Sequence, residues 1–259
     1  KDRKKAVVAL KEKTQDFEQK KYLEKLIENF REIILATPSE IDNYKVNGLG
    51  EIPEFWRKKR GKKPSFKEEL IKILGYTDLR SSFYPKYFQN IGIKACVYCN
   101  SMLTVSTEGE GLISAKFQVD HYLDKASYPC FSISFFNLYP ACASCNNKKG
   151  NKEIKFFLYS DDLAATTKSE FSFSFEAGSV AKYLLNKKTE EIAFDFKEPN
   201  GDDFQKIFDI EGIYNTQKDL AEELIIKAQI YSKTYQNSLV NNFSEIFTTT
   251  SLRNSIFIG

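Results

Sequence analysis

The N-terminal part of the chain has the spacing of apolar residues that amphipathic helices show. Between residues 4 and 36, leucine, isoleucine and phenylalanine recur every three or four positions, which predicts one long helix. Pro38 cannot continue a helix, so we expect the helix to end before it. A second helix is predicted to begin at Ser65, the first residue of a capping-box sequence, and to end at Gly75. The intervening residues 38–64 contain prolines and glycines and are predicted to form a loop.

The pattern changes after residue 92. The segments KFQVDHYL and FSISFFNLY are rich in residues that favour strands, and they alternate with pairs of cysteines. Beyond residue 159, apolar and polar residues alternate in SEFSFSFEAG and EIAFDF, which again predicts strands. A long amphipathic helix follows, which we expect Thr216 to cap. Its predicted apolar stripe comprises Leu220, Leu224, Ile225, Ala228 and Tyr231.

These changes divide the chain into three regions and predict an α+β protein. The N-terminal region, residues 1–91, is expected to be mostly helical. The central region, residues 92–158, combines short strands with a short helix or turn around the cysteines. The C-terminal region, residues 159–259, is expected to mix strands with a long helix.

Composition and charge narrow the class of protein. The chain is 42% hydrophobic and 14% aromatic, which excludes a disordered protein. It contains no apolar run of about 18 residues and no secretory signal, so we expect no transmembrane helix, no membrane partner and a cytoplasmic location. Residues 1–95 carry 22 Lys and Arg against 14 Asp and Glu, whereas residues 159–259 carry 10 against 16. The basic N-terminal part is therefore a candidate for contact with a polyanion.

Four of the five cysteines form two C-x-x-C pairs, Cys96 with Cys99 and Cys142 with Cys145. In a chain without a secretory signal, two such pairs favour a metal site over disulfides. Four thiolates suit tetrahedral zinc and leave no open coordination position, so the predicted zinc is structural. The remaining Cys130 is expected to be a small buried residue.

The segment between the two cysteine pairs contains the only histidine of the chain, His121, directly after Asp120. Asn137 lies in the same segment, and Asn146 directly follows the last cysteine. A single histidine is more often a packed or surface residue than a catalyst. A carboxylate, an imidazole and two amides within one zinc-bound segment instead indicate a catalytic site.

The succession C-x-x-C, V-D-H, N-L, C-x-x-C-N and K resembles the HNH endonuclease family, whose catalytic unit is a ββα-metal finger. The matching stretch covers about residues 93–155, roughly a quarter of the chain. The motif K-x-x-Y-P, at residues 125–129, is similar to that of HNH nucleases from bacterial antiphage systems of the Septu, or PtuB-like, kind.

The resemblance implies a role for each residue of the segment. His121 would be the general base that activates a water molecule, and Asn137 would hold the loop that carries it. Asp120 and Asn146 would bind one divalent cation, Mg²⁺ or Mn²⁺, while the four cysteines bind the zinc. A neutral imidazole can take a proton from water near neutral pH, and a hard cation can neutralise a phosphate. Asp124 is expected to be a solvated carboxylate, and the alternatives are that it assists the metal or raises the pKa of His121.

Two groups of basic residues are candidates for contact with the nucleic-acid backbone, and both could equally be solvated side chains. One lies in RKKRGKK and the other follows the last cysteine. The candidates are Arg57, Lys58, Lys59, Arg60, Lys148, Lys149 and Lys152.

The leading hypothesis is an enzyme, a metal-dependent endonuclease that hydrolyses DNA as the effector of a bacterial antiphage system. The resemblance further implies an ATPase or other defence-system partner protein. Three alternatives stay open: an RNA nuclease of the same fold with tRNA as a target, a non-catalytic zinc module that binds nucleic acid or protein, and a structural scaffold. His121, Asp120 and Asn146 together favour the enzyme, because a binding module has little need for all three.

Overall fold

The computed structural model describes residues 2–59, 61, 63–109, 111–162, 170–199, 201 and 203–243. The chain forms two compact units. The first comprises Lys1–Glu170 and Glu198–Asp209, and the second comprises Phe171–Lys197 and Ile210–Gly259. The helices and small antiparallel sheets confirm the predicted α+β class and the helical N-terminal region. The division into three regions stays a prediction about sequence organisation.

Three helices replace the single helix that was predicted for residues 4–36: α1 (Asp2–Lys13), α2 (Phe17–Glu28) and α3 (Phe30–Leu35). The reason is local capping. The Asp16 carboxylate accepts a hydrogen bond from the backbone N–H of Gln19 at 3.0 Å, which starts a new helix within the apolar pattern.

The loop predicted for residues 38–64 is also wrong in part, because it contains α4 (Pro38–Asn47) and α5 (Glu54–Arg57). Pro38 begins a helix here, where its missing N–H would have no helical partner in any case. The Glu40 carboxylate accepts from the backbone N–H of Thr37 at 2.9 Å, so this start is capped.

The predicted second helix is confirmed as α6 (Phe66–Leu74). Ser65 and Glu68 exchange the two hydrogen bonds of a capping box, and Gly75 ends the helix with a φ of 72°. Two further helices follow directly, α7 (Tyr76–Ser82) and α8 (Tyr84–Ile91).

The central part contains two antiparallel hairpins. Strands β1 (Ser106–Gly109) and β2 (Leu112–Ala115) pair with each other, as do β3 (Gln118–His121) and β4 (Leu138–Ala141). The strand expected in FSISFFNLY begins only at Leu138, because two short 3₁₀ helices at Pro129–Phe131 and Phe135–Asn137 precede it. The helix α9 (Ala143–Lys149) follows β4 after one residue.

One hydrophobic core joins the N-terminal helices to the β3–β4 hairpin. It buries residues from both parts of the chain, among them Val7, Leu23, Ile33, Leu70, Phe88, Val119, Phe131 and Leu138. Hydrogen bonds connect the same parts: Ser134 Oγ donates to the Ile33 carbonyl at 2.7 Å, and Ile52 N donates to the Ser127 carbonyl at 2.9 Å. The hairpin is therefore held by the helices as well as by its own strand pairing. The first unit also includes α11 (Phe204–Phe208).

The second unit confirms both predicted strands, β5 (Ser172–Phe175) and β6 (Phe194–Lys197), which pair antiparallel. Its helices are α10 (Ser179–Asn186), α12 (Ile210–Asn215), α13 (Lys218–Ile230) and α14 (Lys233–Asn242). None of the helices in the described ranges is long and apolar enough to cross a membrane.

The predicted start and apolar stripe of α13 are wrong. Thr216 does not cap the helix, since its hydroxyl donates to the Ile213 carbonyl at 2.6 Å and the helix begins at Lys218. The buried side chains are Ala221 and Ile225, whereas four of the five predicted stripe residues are exposed: Leu220, Leu224, Ala228 and Tyr231. Ile225 alone of that stripe faces the core.

We expect Gly75→Ala to destabilise the first unit more than Gly92→Ala. Both glycines have a positive φ, so each alanine adds roughly 1–2 kcal/mol of backbone strain. A Cβ at Gly92 meets no atom within 4 Å, whereas a Cβ at Gly75 overlaps the guanidinium of Arg3, which donates to the Leu74 carbonyl. Gly75→Ala should therefore lose about 1.5 kcal/mol more, the contribution of that hydrogen bond.

Urea unfolding of the single variants and of both in an Arg3→Ala background measures this difference. In that background the two glycine substitutions should have equal effects, and an extra penalty that persists there would contradict the explanation.

Candidate functional site

Four buried cysteines form a single cluster, Cys96, Cys99, Cys142 and Cys145, whose sulfur atoms all lie within 4.8 Å of one another. The first pair sits in a tight turn: Cys96 N donates to the Met102 carbonyl at 2.8 Å, and Asn100 reverses the chain with a φ of 48°. Asparagine is one of the few residues that adopt this left-handed conformation readily. The second pair begins α9, since Cys142 is its N-cap residue.

The cluster fits a tetrahedral zinc ion. Backbone N–H groups point at the sulfurs, among them Cys142 N at Cys96 Sγ (3.3 Å) and Cys145 N at Cys142 Sγ (3.4 Å), and such bonds stabilise thiolates. Hydrogen bonds with Cys145 and Cys96 lower the pKa of the Cys99 thiol, whereas hydrogen bonds with Cys96 and Cys99 raise the pKa of Cys145. A cation that replaces the shared protons would relieve this competition between the sulfurs. Cys130 is buried elsewhere, as predicted.

Asp120 points from β3 towards α9. Its Oδ2 atom accepts a hydrogen bond from the Tyr98 hydroxyl and lies 3.3 Å from the ammonium of Lys149. That ammonium also donates to the His121 carbonyl oxygen at 2.8 Å. Lys149 is only 1% exposed, so a buried ion pair connects the last residue of α9 to the end of β3.

His121 points away from α9, because side chains alternate between the two faces of a strand. Its ring packs against Tyr76 of α7, with 4.7 Å between the ring centroids, and its Nε2 lies 3.0 Å from the Ser132 carbonyl oxygen. A carbonyl only accepts, so in the neutral ring the proton is on Nε2 and Nδ1 is the basic nitrogen. The residue is 3% exposed, and this burial lowers the pKa of His121 to about 3.

Asn137 ties together the loop between β3 and β4. Its Oδ1 accepts from Leu123 N at 2.7 Å, and its Nδ2 donates to the carbonyls of Leu123 (3.2 Å) and Phe131 (3.0 Å). Asp124 lies in the same loop, where its carboxylate accepts from the N–H groups of Ala126 and Ser127 at 3.1 and 3.0 Å. Asp124 thus stabilises a turn, a use that the sequence did not predict.

Asn146 lies on α9 and its Nδ2 donates to the Oε1 atom of Gln118 on β3. Gln118 and Asp120 share one face of the strand, so Asn146 and Asp120 are both at the contact between β3 and α9. Within the described residues, no hydrogen bond reaches Oδ1 of either side chain. These two oxygens have the donor type that a hard cation prefers.

The basic residues differ from one another in their surroundings. The structure corrects the prediction for Lys149, because its ammonium forms the buried ion pair with Asp120 instead of facing a phosphate. Lys148 and Lys152 are exposed. In the other group, Arg57 pairs with Glu51, Lys58 with Glu54 at 2.8 Å and Lys59 with Glu68 at 3.4 Å, while Arg60 lies outside the described residues.

Two residues shape the site in roles that the sequence did not predict, Tyr98 and Lys149. The spacing of Cys142, Cys145 and Lys149 is three and four residues, which places them on one face of a helix. This signal could have identified Lys149 as an inward-facing lysine. No comparable signal exists for Tyr98, whose contact with Asp120 depends on the fold of the first cysteine turn.

Comparisons with known proteins match only part of the chain. No protein-family model matches it, and no solved structure matches it significantly. The chain is similar to the Septu protein PtuB of Bacillus thuringiensis, with 37% identity over 60 residues. This stretch covers 23% of the chain and 21% of PtuB, so the similarity spans about a fifth of the curated relative it matches.

We expect the purified protein to contain one zinc ion per chain. Cys99→Ser and Cys145→Ser should lose it, and chelation should lower the melting temperature by on the order of 10 °C, because zinc binding is coupled to folding. Metal analysis and thermal unfolding measure both effects. Cys130→Ser is the matched control, and its failure to retain zinc would contradict the assignment to these four cysteines.

Lys149→Met should destabilise the protein by about 3–5 kcal/mol, because it leaves the Asp120 carboxylate buried without its partner charge. Adding Asp120→Asn should recover part of this loss, since it removes the unpaired charge. Lys148→Met is the neighbouring exposed control and should change stability by less than about 0.5 kcal/mol. Urea unfolding of the zinc-loaded proteins tests the ion pair, and equal effects of the two lysine substitutions would refute it.

Proposed function

We propose that this protein is a metal-dependent endonuclease of the HNH type that hydrolyses the DNA backbone in bacterial antiphage defence. The observation that carries the proposal is the succession β3–loop–β4–α9, with Asp120 and His121 at the end of β3 and Asn146 on α9 beside the four-cysteine cluster. The local similarity to Septu PtuB supports the defence role.

His121 is the general base in this proposal. Its Nε2–H donates to the Ser132 carbonyl, which orients the ring and leaves Nδ1 as the atom that takes a proton from water. The same hydrogen bond fixes the tautomer of the neutral ring. Asn137 is a positioning residue, because it holds the loop that contains Phe131 and thereby the carbonyl next to it along the chain.

Asp120 and Asn146 would hold one divalent cation, Mg²⁺ or Mn²⁺, through their Oδ1 atoms. When bound, this cation neutralises the charge of the phosphate and of the leaving oxygen. The zinc has a different task, since α9 carries both a cysteine pair and Asn146, and the cluster would therefore fix the position of that side chain.

Exposed lysines support a backbone substrate. Lys148 lies on α9, the same helix as Asn146, and Lys152 lies three residues beyond the end of that helix. Phosphate contacts of this type carry no sequence information. The resemblance to HNH nucleases is the reason to propose DNA as the substrate, and RNA is the alternative that the same hydrolytic chemistry allows. The same resemblance is the reason to propose an ATPase or other partner protein.

A second candidate function is a non-catalytic zinc module that binds nucleic acid or protein. The burial of His121 favours it, because a general base must contact the water that it activates. The ion pair between Lys149 and Asp120 favours it as well, because the ammonium already neutralises the carboxylate that would bind the cation.

Cleavage of supercoiled plasmid and of total tRNA, side by side with Mg²⁺ or Mn²⁺, separates these functions. We expect plasmid cleavage that EDTA stops and that His121→Ala lowers by about 10²–10⁴-fold, the usual contribution of a general base. Asn146→Ala should also abolish it, whereas Asn147→Ala, the exposed neighbour on α9, should leave it unchanged.

The variants must retain zinc, which shows that the fold is intact. Cleavage of tRNA alone would move the proposal to RNA. Cleavage that survives His121→Ala would overturn the role of His121 as the general base. A folded zinc-loaded protein that cuts neither substrate would favour the binding module.

A further inference from the structure

Lys125 is a half-buried cation in the surroundings of His121. Its ammonium lies over the ring of Tyr76, 5.3 Å from the ring centroid, and the same ring packs against the His121 imidazole at 4.7 Å. An aromatic face attracts a cation, but it does not neutralise it. Tyr76 thus brings an ammonium close to the proposed general base.

Arg80 is the second cation at this place. Tyr76 and Arg80 are four residues apart on α7 and therefore lie on the same face of the helix. The Tyr76 hydroxyl donates to the Val119 carbonyl at 2.9 Å, which fixes that face of α7 against β3. Arg80 is exposed, whereas Tyr76 is buried. Besides burial, the positive charge of Arg80 lowers the pKa of Lys125, so the guanidinium acts on that ammonium.

Neither cation has an ion-pair partner within the described part of the chain. The carboxylate of Asp120 is paired with Lys149, and that of Asp124 accepts backbone N–H groups of its own turn. Burial lowers the pKa of Lys125, and the negative charges of Asp124 and Asp120 oppose this only in part. A desolvated ammonium beside an unpaired guanidinium is a place where an anion is stabilised.

We propose that Lys125 and Arg80 form a phosphate-binding subsite beside His121, which grips a backbone phosphate of the nucleic acid. This inference rests on the proposed function and adds to it a contribution from α7, which lies outside the central region. The guanidinium presents several N–H donors and the ammonium a point charge, and both suit phosphate oxygens. The subsite would hold the backbone with the scissile bond near His121.

Binding to an inactive protein tests the subsite without relying on cleavage. In a His121→Ala background, Lys125→Gln and Arg80→Gln should each weaken binding of a short fluorescent DNA duplex by about threefold to tenfold. Each should also reduce the slope of log K against log salt by about 1, because one phosphate contact is lost. Lys125→Arg should retain binding, since it keeps the charge.

Lys72→Gln, which removes an exposed lysine of α6, is the matched control and should leave binding and the salt slope unchanged. Zinc content shows that each variant is folded. In the active protein, the same Lys125 and Arg80 substitutions should raise KM more than they lower kcat.

The outcomes distinguish the two proposals. If cleavage occurs and the Lys125 and Arg80 variants bind and cut like the parent, the subsite is overturned and the nuclease stands. If the parent cuts nothing but binds DNA, and the two substitutions weaken that binding, the subsite stands and the nuclease falls. A parent that binds no duplex at low salt overturns the subsite.

Discussion

The buried ion pair between Lys149 and Asp120 is the constraint on which the central part of the molecule depends. A buried ammonium and a buried carboxylate are stable only together, because each has lost its hydration. Lys149 also bonds to the His121 carbonyl, so one side chain fixes both the Asp120 carboxylate and the backbone at the end of β3. The helix that carries Lys149 cannot shift without leaving a buried charge unpaired.

The four-cysteine cluster and this ion pair act on the same short helix. Cys142 and Cys145 fix its beginning and Lys149 fixes its end, and the seven residues from Ala143 to Lys149 span only about 10 Å. Because this helix is short and rigid, the position of the cysteine cluster determines the position of Lys149, which pairs with Asp120. Zinc binding would thus determine the local fold of the cysteine turns and also the position of Lys149, which is the partner of the Asp120 carboxylate.

Features that depend on neighbouring residues could be predicted from the sequence, and features that depend on tertiary contacts could not. The capping box at Ser65, the C-cap at Gly75 and the two cysteine pairs need only short-range spacing, and the structure contains all of them. The stripe of α13 was wrong because several registers fit the same apolar residues, and packing selects Ala221 and Ile225. The break at Asp16 shows a related limit, since a cap competes with a continuous apolar pattern.

The candidate site shows the same limit in a different form. Asp120 and His121 are adjacent in the sequence, which suggests one shared environment, yet the alternation of β3 separates them. Asp120 faces α9, a neighbour of the cysteines, whereas His121 faces Tyr76, which α7 contributes from the N-terminal helices. The chemistry of the imidazole therefore depends on helices outside the cysteine-bound segment. A resemblance limited to that segment can indicate the residues of the site, but only the whole first unit determines which of them water and phosphate can reach.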